Sequence, residues 1–153
     1  MNHSPINVLY VCTHNSARSI LAEGITNLIG LGRLVGHSAG STPSGRVNPV
    51  ALRVLGAMGC SQVGVQSKHW DTFLRESAPV MDYVITVCDN AACEVKPVWP
   101  GNPKLVHWSI ADPSLVEGGP NARTAAFLST ADLIRQRIES LFAIELAGNA
   151  PPG

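Results

Sequence analysis

An apolar, mostly strand-forming run, Ile6–Val11 (INVLYV), gives way abruptly to a polar stretch, residues 12–18 (CTHNSAR), and a helical pattern begins at once. This opening constrains the chain most. A run that is apolar on both faces fits a strand covered on both sides, the habit of parallel sheets. Over residues 19–31, Ile20, Leu21, Gly24, Leu28 and Leu31 recur at helical spacing. Strand, short polar loop and helix in this order are the start of an α/β layer.

The rest of the chain continues the alternation. Leu34–Ala39 reads as a second strand. Asn48 followed by Pro49 marks a helix start, an Asn cap and then Pro at the first helical position, with Gly59 placed to close it. Residues 70–75 suggest a short helix, 82–87 (DYVITV) a third strand and 104–108 a fourth. Residues 88–103 and 109–121 read as loops. A last helix presents Phe127, Ala131, Ile134, Ile138, Leu141 and Phe142 on one face. The expected fold is therefore α/β: a single-domain, three-layer αβα arrangement with a small four-stranded parallel sheet. It should span residues 1–147, with a frayed tail over 148–153. Ligands of such sheets bind beyond the C-terminal ends of the strands. Cys12, Cys88 and the stretch 109–112 each follow a predicted strand, so three loops should meet at one edge.

Composition narrows the function. The chain has 153 residues, 45% of them hydrophobic and 14% charged, which excludes a disordered polar chain. Lys plus Arg equals Asp plus Glu at 11 each, so neither nucleic acid nor a membrane is an expected partner. The N-terminus lacks the cationic lead and long apolar core of a secretory signal. Four cysteines are too few for a disulfide scaffold. The expectation is a cytoplasmic protein whose thiols are reduced and free for chemistry.

The stretch 12–18 offers such chemistry. It leads into a helix, whose first backbone N–H groups have no intrahelical partners and can converge on one anion. Arg18 adds a planar, permanently charged fork suited to a tetrahedral oxyanion. The same field stabilises a thiolate at Cys12. Nucleophile and cradle then share one loop: Cys12, with Thr13, His14, Asn15, Ser16, Ala17, Arg18 and Ser19 as the oxyanion-binding set. Asp112, before Pro113 in a loop after a strand, reads by itself as an Asp–Pro turn; beside the Cys12 loop it is also a candidate to give a proton to a departing oxygen. A bound oxyanion beside it would help it keep that proton. None of the five histidines stands at zinc-ligand spacing, and no metal is expected.

The segment VCTHNSARSILAEG resembles the C-x5-R-S phosphate loop of low-molecular-weight protein tyrosine phosphatases. It is still more similar to the arsenate reductases that share that fold. HSAGSTPSGRVNPVALRVLGAMG, VITVCDNAACEVKPVWPG and HWSIADP extend the likeness over nearly the whole chain. The resemblance implies a phosphotyrosine-phosphatase-I-like fold and gives Asp112 the role of general acid. It implies thiol-dependent reduction of arsenate through a Cys12 adduct and a Cys12–Cys88 disulfide. Cys93 would pass that disulfide outward. Electrons would come from thioredoxin or from glutathione with glutaredoxin, with no tightly bound cofactor. The alternative in the same fold is a tyrosine phosphatase working through a Cys12 phosphocysteine. Ser114 and Leu115 follow Asp–Pro where those phosphatases usually carry tyrosines, which favours a small inorganic oxyanion such as arsenate or phosphate.

The sequence also departs from the family. Ala17 stands where thioredoxin-linked reductases usually place a cysteine. The cysteine of the CDNAA segment is Cys93, whereas close relatives often carry it nearer Lys96. Some members bind potassium near the loop. Asn15, Glu23 and Ser38 match part of that site, but His69 replaces the expected acid. The pattern leaves open whether Lys68 and His69 approach the oxyanion. Cys60 has no companion motif and reads as structural.

Overall fold

A computed structural model describes residues 4–148. The tail expected over 148–153 lies, beyond Gly148, outside the described residues. In chain order the elements are β1 (Ile6–Val11), α1 (Arg18–Gly30), β2 (Leu34–Ala39), α2 (Pro49–Met58), a 3₁₀ turn (Trp70–Phe73), β3 (Tyr83–Thr86), α3 (Asp89–Cys93), β4 (Lys104–His107), a second 3₁₀ turn (Pro113–Leu115), α4 (Pro120–Leu141) and α5 (Ala143–Ala147). The α/β class and the four strands match the sequence expectation.

All strand pairs are parallel, in the order β2-β1-β3-β4. From β1 the chain moves outward to β2, then returns past β1 to β3. The order therefore reverses between β1 and β3, and their C-terminal ends flank the crevice where such sheets bind ligands. Val11 pairs with Thr86, which brings the loops beginning at Cys12 and Val87 out side by side.

β1 is central, and Val8, Leu9, Tyr10 and Val11 are buried as their continuous apolarity requires. Ile20, Leu21 and Ile25 of α1 and Phe127, Ile134 and Ile138 of α4 are buried with them in one core. The Tyr10 hydroxyl is paired with Thr26 at 2.7 Å, and burial pushes its phenol well above the ordinary range. Trp108 packs against Tyr10 and Trp99 meets Trp70 edge-on, so both tryptophans serve packing.

Several elements differ from expectation, most by a residue or two at their ends. α1 stops at Gly30, one residue early, because Leu31 adopts a left-handed conformation (φ 46°) that ends the helix. Residues 88–103, read as loop, contain the one-turn helix α3. Two side chains satisfy its ends: the Cys88 Sγ accepts the Ala91 N–H, and the Lys96 ammonium donates to the carbonyls of Ala91, Ala92 and Glu94. The loop 109–121 likewise holds the turn Pro113–Leu115, capped by Asp112.

Gly40, just past β2, sits where the 12–18 loop passes closest. A Cβ there would lie 2.5 Å from the Thr13 carbonyl oxygen and 2.7 Å from that of Cys12. Backbone on both sides leaves no flexible group to yield. Gly40→Ala should therefore destabilise the fold by about 2 kcal/mol and weaken oxyanion binding in parallel. Denaturant unfolding with and without phosphate measures both effects.

Candidate active site

The residues after β1 form a cradle because their carbonyls are engaged elsewhere. The oxygens of Thr13, His14 and Ser16 accept hydrogen bonds from the backbone N–H groups of Thr42, Ser44 and Asn48. Asn15, between them, takes the left-handed conformation (φ 48°), which asparagine tolerates better than most residues. Its buried side chain holds the turn on two sides. The amide nitrogen donates to the Ser19 Oγ at 2.8 Å, and the amide oxygen accepts the Lys68 backbone N–H at 2.9 Å.

Ser19 in turn lies 2.9 Å from the Cys12 Sγ. Its oxygen takes a hydrogen from Asn15, leaving the hydroxyl proton free to point at the sulfur. The chain Asn15–Ser19–Cys12 is thus arranged to support negative charge on a buried sulfur at the mouth of a helix N-terminus.

A cavity of about 30 Å³ opens over that sulfur, lined by Cys12, Thr13, His14, Ser16, Ala17, Arg18 and Asp112. No phenylalanine, tyrosine or tryptophan lines it. Arg18 is aimed by its contacts: one guanidinium nitrogen donates to the Ile110 carbonyl at 2.8 Å and another lies 3.6 Å from the Asp112 carboxylate. The other Asp112 oxygen accepts from the backbone N–H and hydroxyl of Ser114 at 2.9 and 2.7 Å. The acid is therefore held by the turn it caps, facing the cavity. The His14 Nδ1 donates to the Thr42 carbonyl at 3.2 Å, which ties the ring to the loop that braces the cradle.

The structure brings most of the expected residues together. Cys12, Thr13, His14, Ser16, Ala17, Arg18 and Asp112 line the cavity, while Asn15 and Ser19 lie beneath it. Cys88 is buried beside it, its Sγ 3.8 Å from the Thr13 hydroxyl. Cys93 stands apart, exposed at the far end of α3. Cys60 is buried in the core, where burial pushes its thiol up, as suits a structural residue.

Sequence reasoning missed the groups that dock α3 on the loop. Asn90 donates to the Thr13 hydroxyl at 2.8 Å, and that hydroxyl donates to the Glu94 carboxylate at 3.2 Å. The Ser41 hydroxyl donates to the other Glu94 oxygen at 2.6 Å. No spacing rule links residues 81 positions apart, so nothing in the pattern announced these contacts.

Lys68 does not approach the oxyanion. Its ammonium donates to the carbonyls of Ser38 and Gln66 and lies 3.8 Å from Glu23, whose carboxylate also accepts the Ser38 hydroxyl. Burial pushes the Glu23 carboxyl up and the Lys68 ammonium down, and each counters the other's shift. Two of the residues that match the family's potassium site, Glu23 and Ser38, therefore already face a cation of the chain itself. His69 instead caps the 3₁₀ turn through its Nδ1 and the Asp71 N–H.

The sequence profile of the low molecular weight phosphotyrosine protein phosphatases matches residues 7–150. The arsenate reductase of Halalkalibacterium halodurans is 33% identical over 133 residues, covering 87% of this chain and 92% of its own. The glutaredoxin arsenate reductase of a Synechocystis species is 28% identical, covering 89% of this chain and 95% of its own. A solved arsenate reductase in its phosphate-binding state superposes with a TM-score of 0.72 at 26% identity, over 90% of this chain and 97% of that one.

Two outcomes are expected here. Ser19→Ala removes the hydroxyl aimed at Cys12 and should slow its alkylation by iodoacetamide at neutral pH by roughly tenfold, about the worth of one hydrogen bond to a charged group. Lys68→Met strands the Glu23 carboxylate and should lower stability by on the order of 3 kcal/mol, read by denaturant unfolding.

Proposed function

The chain belongs to the low molecular weight phosphotyrosine protein phosphatase family, and from that premise we propose that it reduces arsenate to arsenite with its own thiols. The observation that carries the proposal is a second buried sulfur, Cys88, 3.8 Å from the Thr13 hydroxyl of the loop that holds the first, whose own cavity has no aromatic wall. Hydrolysis of a phosphate ester needs one thiol. Delivering two electrons to arsenic needs two.

The reading has these steps. Arsenate enters the cradle against the loop N–H groups and Arg18. The Cys12 thiolate attacks arsenic, the bond from arsenic to one of its hydroxyl groups breaks, and that hydroxyl takes a proton from Asp112 and leaves as water. The Cys88 thiolate then attacks the Cys12 sulfur. An S–S bond forms and the S–As bond breaks, with its electron pair staying on arsenic, which leaves as arsenite. Two thiols have become one disulfide, and arsenic has gone from the pentavalent to the trivalent state.

The Cys12–Cys88 disulfide must then be reduced from outside. Cys93, exposed five residues beyond Cys88, is the thiol a partner can reach. Attack by Cys93 on Cys88 frees Cys12 and leaves a disulfide open to thioredoxin. Glutathione with glutaredoxin would instead intercept at Cys88, and the likeness to a glutaredoxin arsenate reductase supports that donor equally. Either donor suits the reducing cytoplasm. No tightly bound cofactor enters the scheme.

The phosphatase alternative has Cys12 carry a phosphoryl group that water removes. The same cradle and acid would serve it. A cavity of about 30 Å³ without ring walls offers little to an aryl ester, and it leaves the buried Cys88 without a task.

The deciding measurement is arsenite production with purified thioredoxin and glutaredoxin systems. Cys12→Ser should abolish it. Cys88→Ser should stop turnover while arsenate still protects Cys12 from alkylation. Asp112→Asn should slow formation of the adduct by ~10²–10⁴-fold. Full activity in Cys88→Ser would return the chain to the phosphatase reading.

A further inference from the structure

We propose that His107 is a positioning residue for Cys88: its imidazole links the side chains of Thr86 and Asp89 on either side of that thiol and keeps it at the sheet edge where the Cys12 adduct forms. The proposal rests on the reductase reading above and adds a group that the reaction scheme does not use.

His107 is the last residue of β4, the strand next to β3. Its Nδ1 lies 2.7 Å from the Thr86 hydroxyl, and its Nε2 lies 3.0 Å from an Asp89 carboxylate oxygen. Thr86 is two residues before Cys88 and Asp89 one residue after it. One ring thus spans the turn that presents the thiol, from the end of β3 to the first residue of α3. A carboxylate only accepts, so Nε2 carries a hydrogen towards Asp89. Nδ1 meets the Thr86 hydroxyl, which also lies 3.4 Å from the Val106 carbonyl.

Asp89 is suited to be the far anchor. Hydrogen bonds from Ser109 and His107, and the positive charge of Arg18, hold its carboxyl below the ordinary range, so it stays an acceptor.

The strand side of the segment is held by the sheet: the Val87 N–H donates to the Val11 carbonyl at 2.9 Å and the Trp108 N–H to the Thr86 carbonyl at 2.8 Å. Past the thiol the supports change. The Cys88 Sγ accepts from Ala91 at 3.4 Å, a bond it must give up to attack. Asn90 and Glu94 hold α3 through Thr13. When Cys88 turns to the Cys12 sulfur, the ring of His107 ties the start of α3 to the strand side that the sheet already fixes. Holding two reacting groups in one geometry raises their effective concentration and so the rate. The His107 and Asp89 side chains are 38% and 74% exposed. Exposed ion pairs contribute little to global stability, so cutting this one should leave unfolding nearly unchanged.

The test is a single-turnover experiment. Enzyme is mixed with arsenate and quenched in acid at intervals, and the Cys12–Cys88 disulfide is counted by mass spectrometry. His107→Ala should form it roughly tenfold more slowly, with melting temperature and Cys12 alkylation unchanged. His107→Gln, which keeps a donor for Asp89, should recover most of the rate. Asp89→Ala should match His107→Ala, and the double variant should be no slower than either. Should His107→Ala fail to fold, Asp89→Ala cuts the same bond from its other side. A wild-type rate in both single variants overturns the positioning role alone, as does a loss shared equally with Cys12 alkylation. Absence of the disulfide in the wild-type protein overturns the reductase reading itself.

Discussion

The site depends on where the carbonyls of residues 12–18 point. A loop that kept them inward would repel an oxyanion. Here the backbone N–H groups of residues 42–48 draw off the oxygens of Thr13, His14 and Ser16, and Asn15 turns the chain through a left-handed step. What faces the centre is then amide hydrogen, helix dipole and guanidinium. Gly40 allows β2 to come close enough for this bracing, so the second strand and its loop act as the outer wall of the cradle.

This dependence explains how a chain with no net charge can hold an oxyanion. The attraction comes from one arginine and a set of oriented dipoles inside a small cavity, and no broad basic surface is needed. The acid Asp112 stands 3.6 Å from that arginine without cancelling it, because its other oxygen is engaged by Ser114 and the guanidinium is also held by the Ile110 carbonyl. Opposite charges are kept close yet separately anchored.

The fold was largely legible because its signals are local. Continuous apolarity marked β1, the Asn48–Pro49 pair started α2, and the face Phe127–Ala131–Ile134–Ile138 marked α4. The cradle was legible for the same reason, since nucleophile, dipoles and guanidinium fall within one short stretch. What stayed hidden was held by partners distant in sequence. α3 looked like a loop because one helical turn has too few residues for a period, and its caps are a cysteine sulfur and a lysine three residues past its end. Lys68 could not be assigned because the carbonyls that hold it belong to backbone, which leaves no trace in residue type.

The first two cysteines of the proposed relay are buried and the third is exposed. Cys12 and Cys88 are 4% and 3% exposed, while Cys93 is open to solvent. A buried first thiol protects the arsenic adduct from water and from stray thiols. A buried second thiol reacts only with what the first one carries. An exposed third thiol hands oxidation to a partner too large to enter. The sequence resemblance puts this last cysteine nearer Lys96 in close relatives; here the Lys96 ammonium closes the end of α3. Moving the sulfur from the loop onto the helix shortens its path to Cys88 along the chain, but it ties that path to the unwinding of one turn. On this reading, the strength of the Lys96 cap, and not the reactivity of Cys93 itself, sets how readily the disulfide leaves the site.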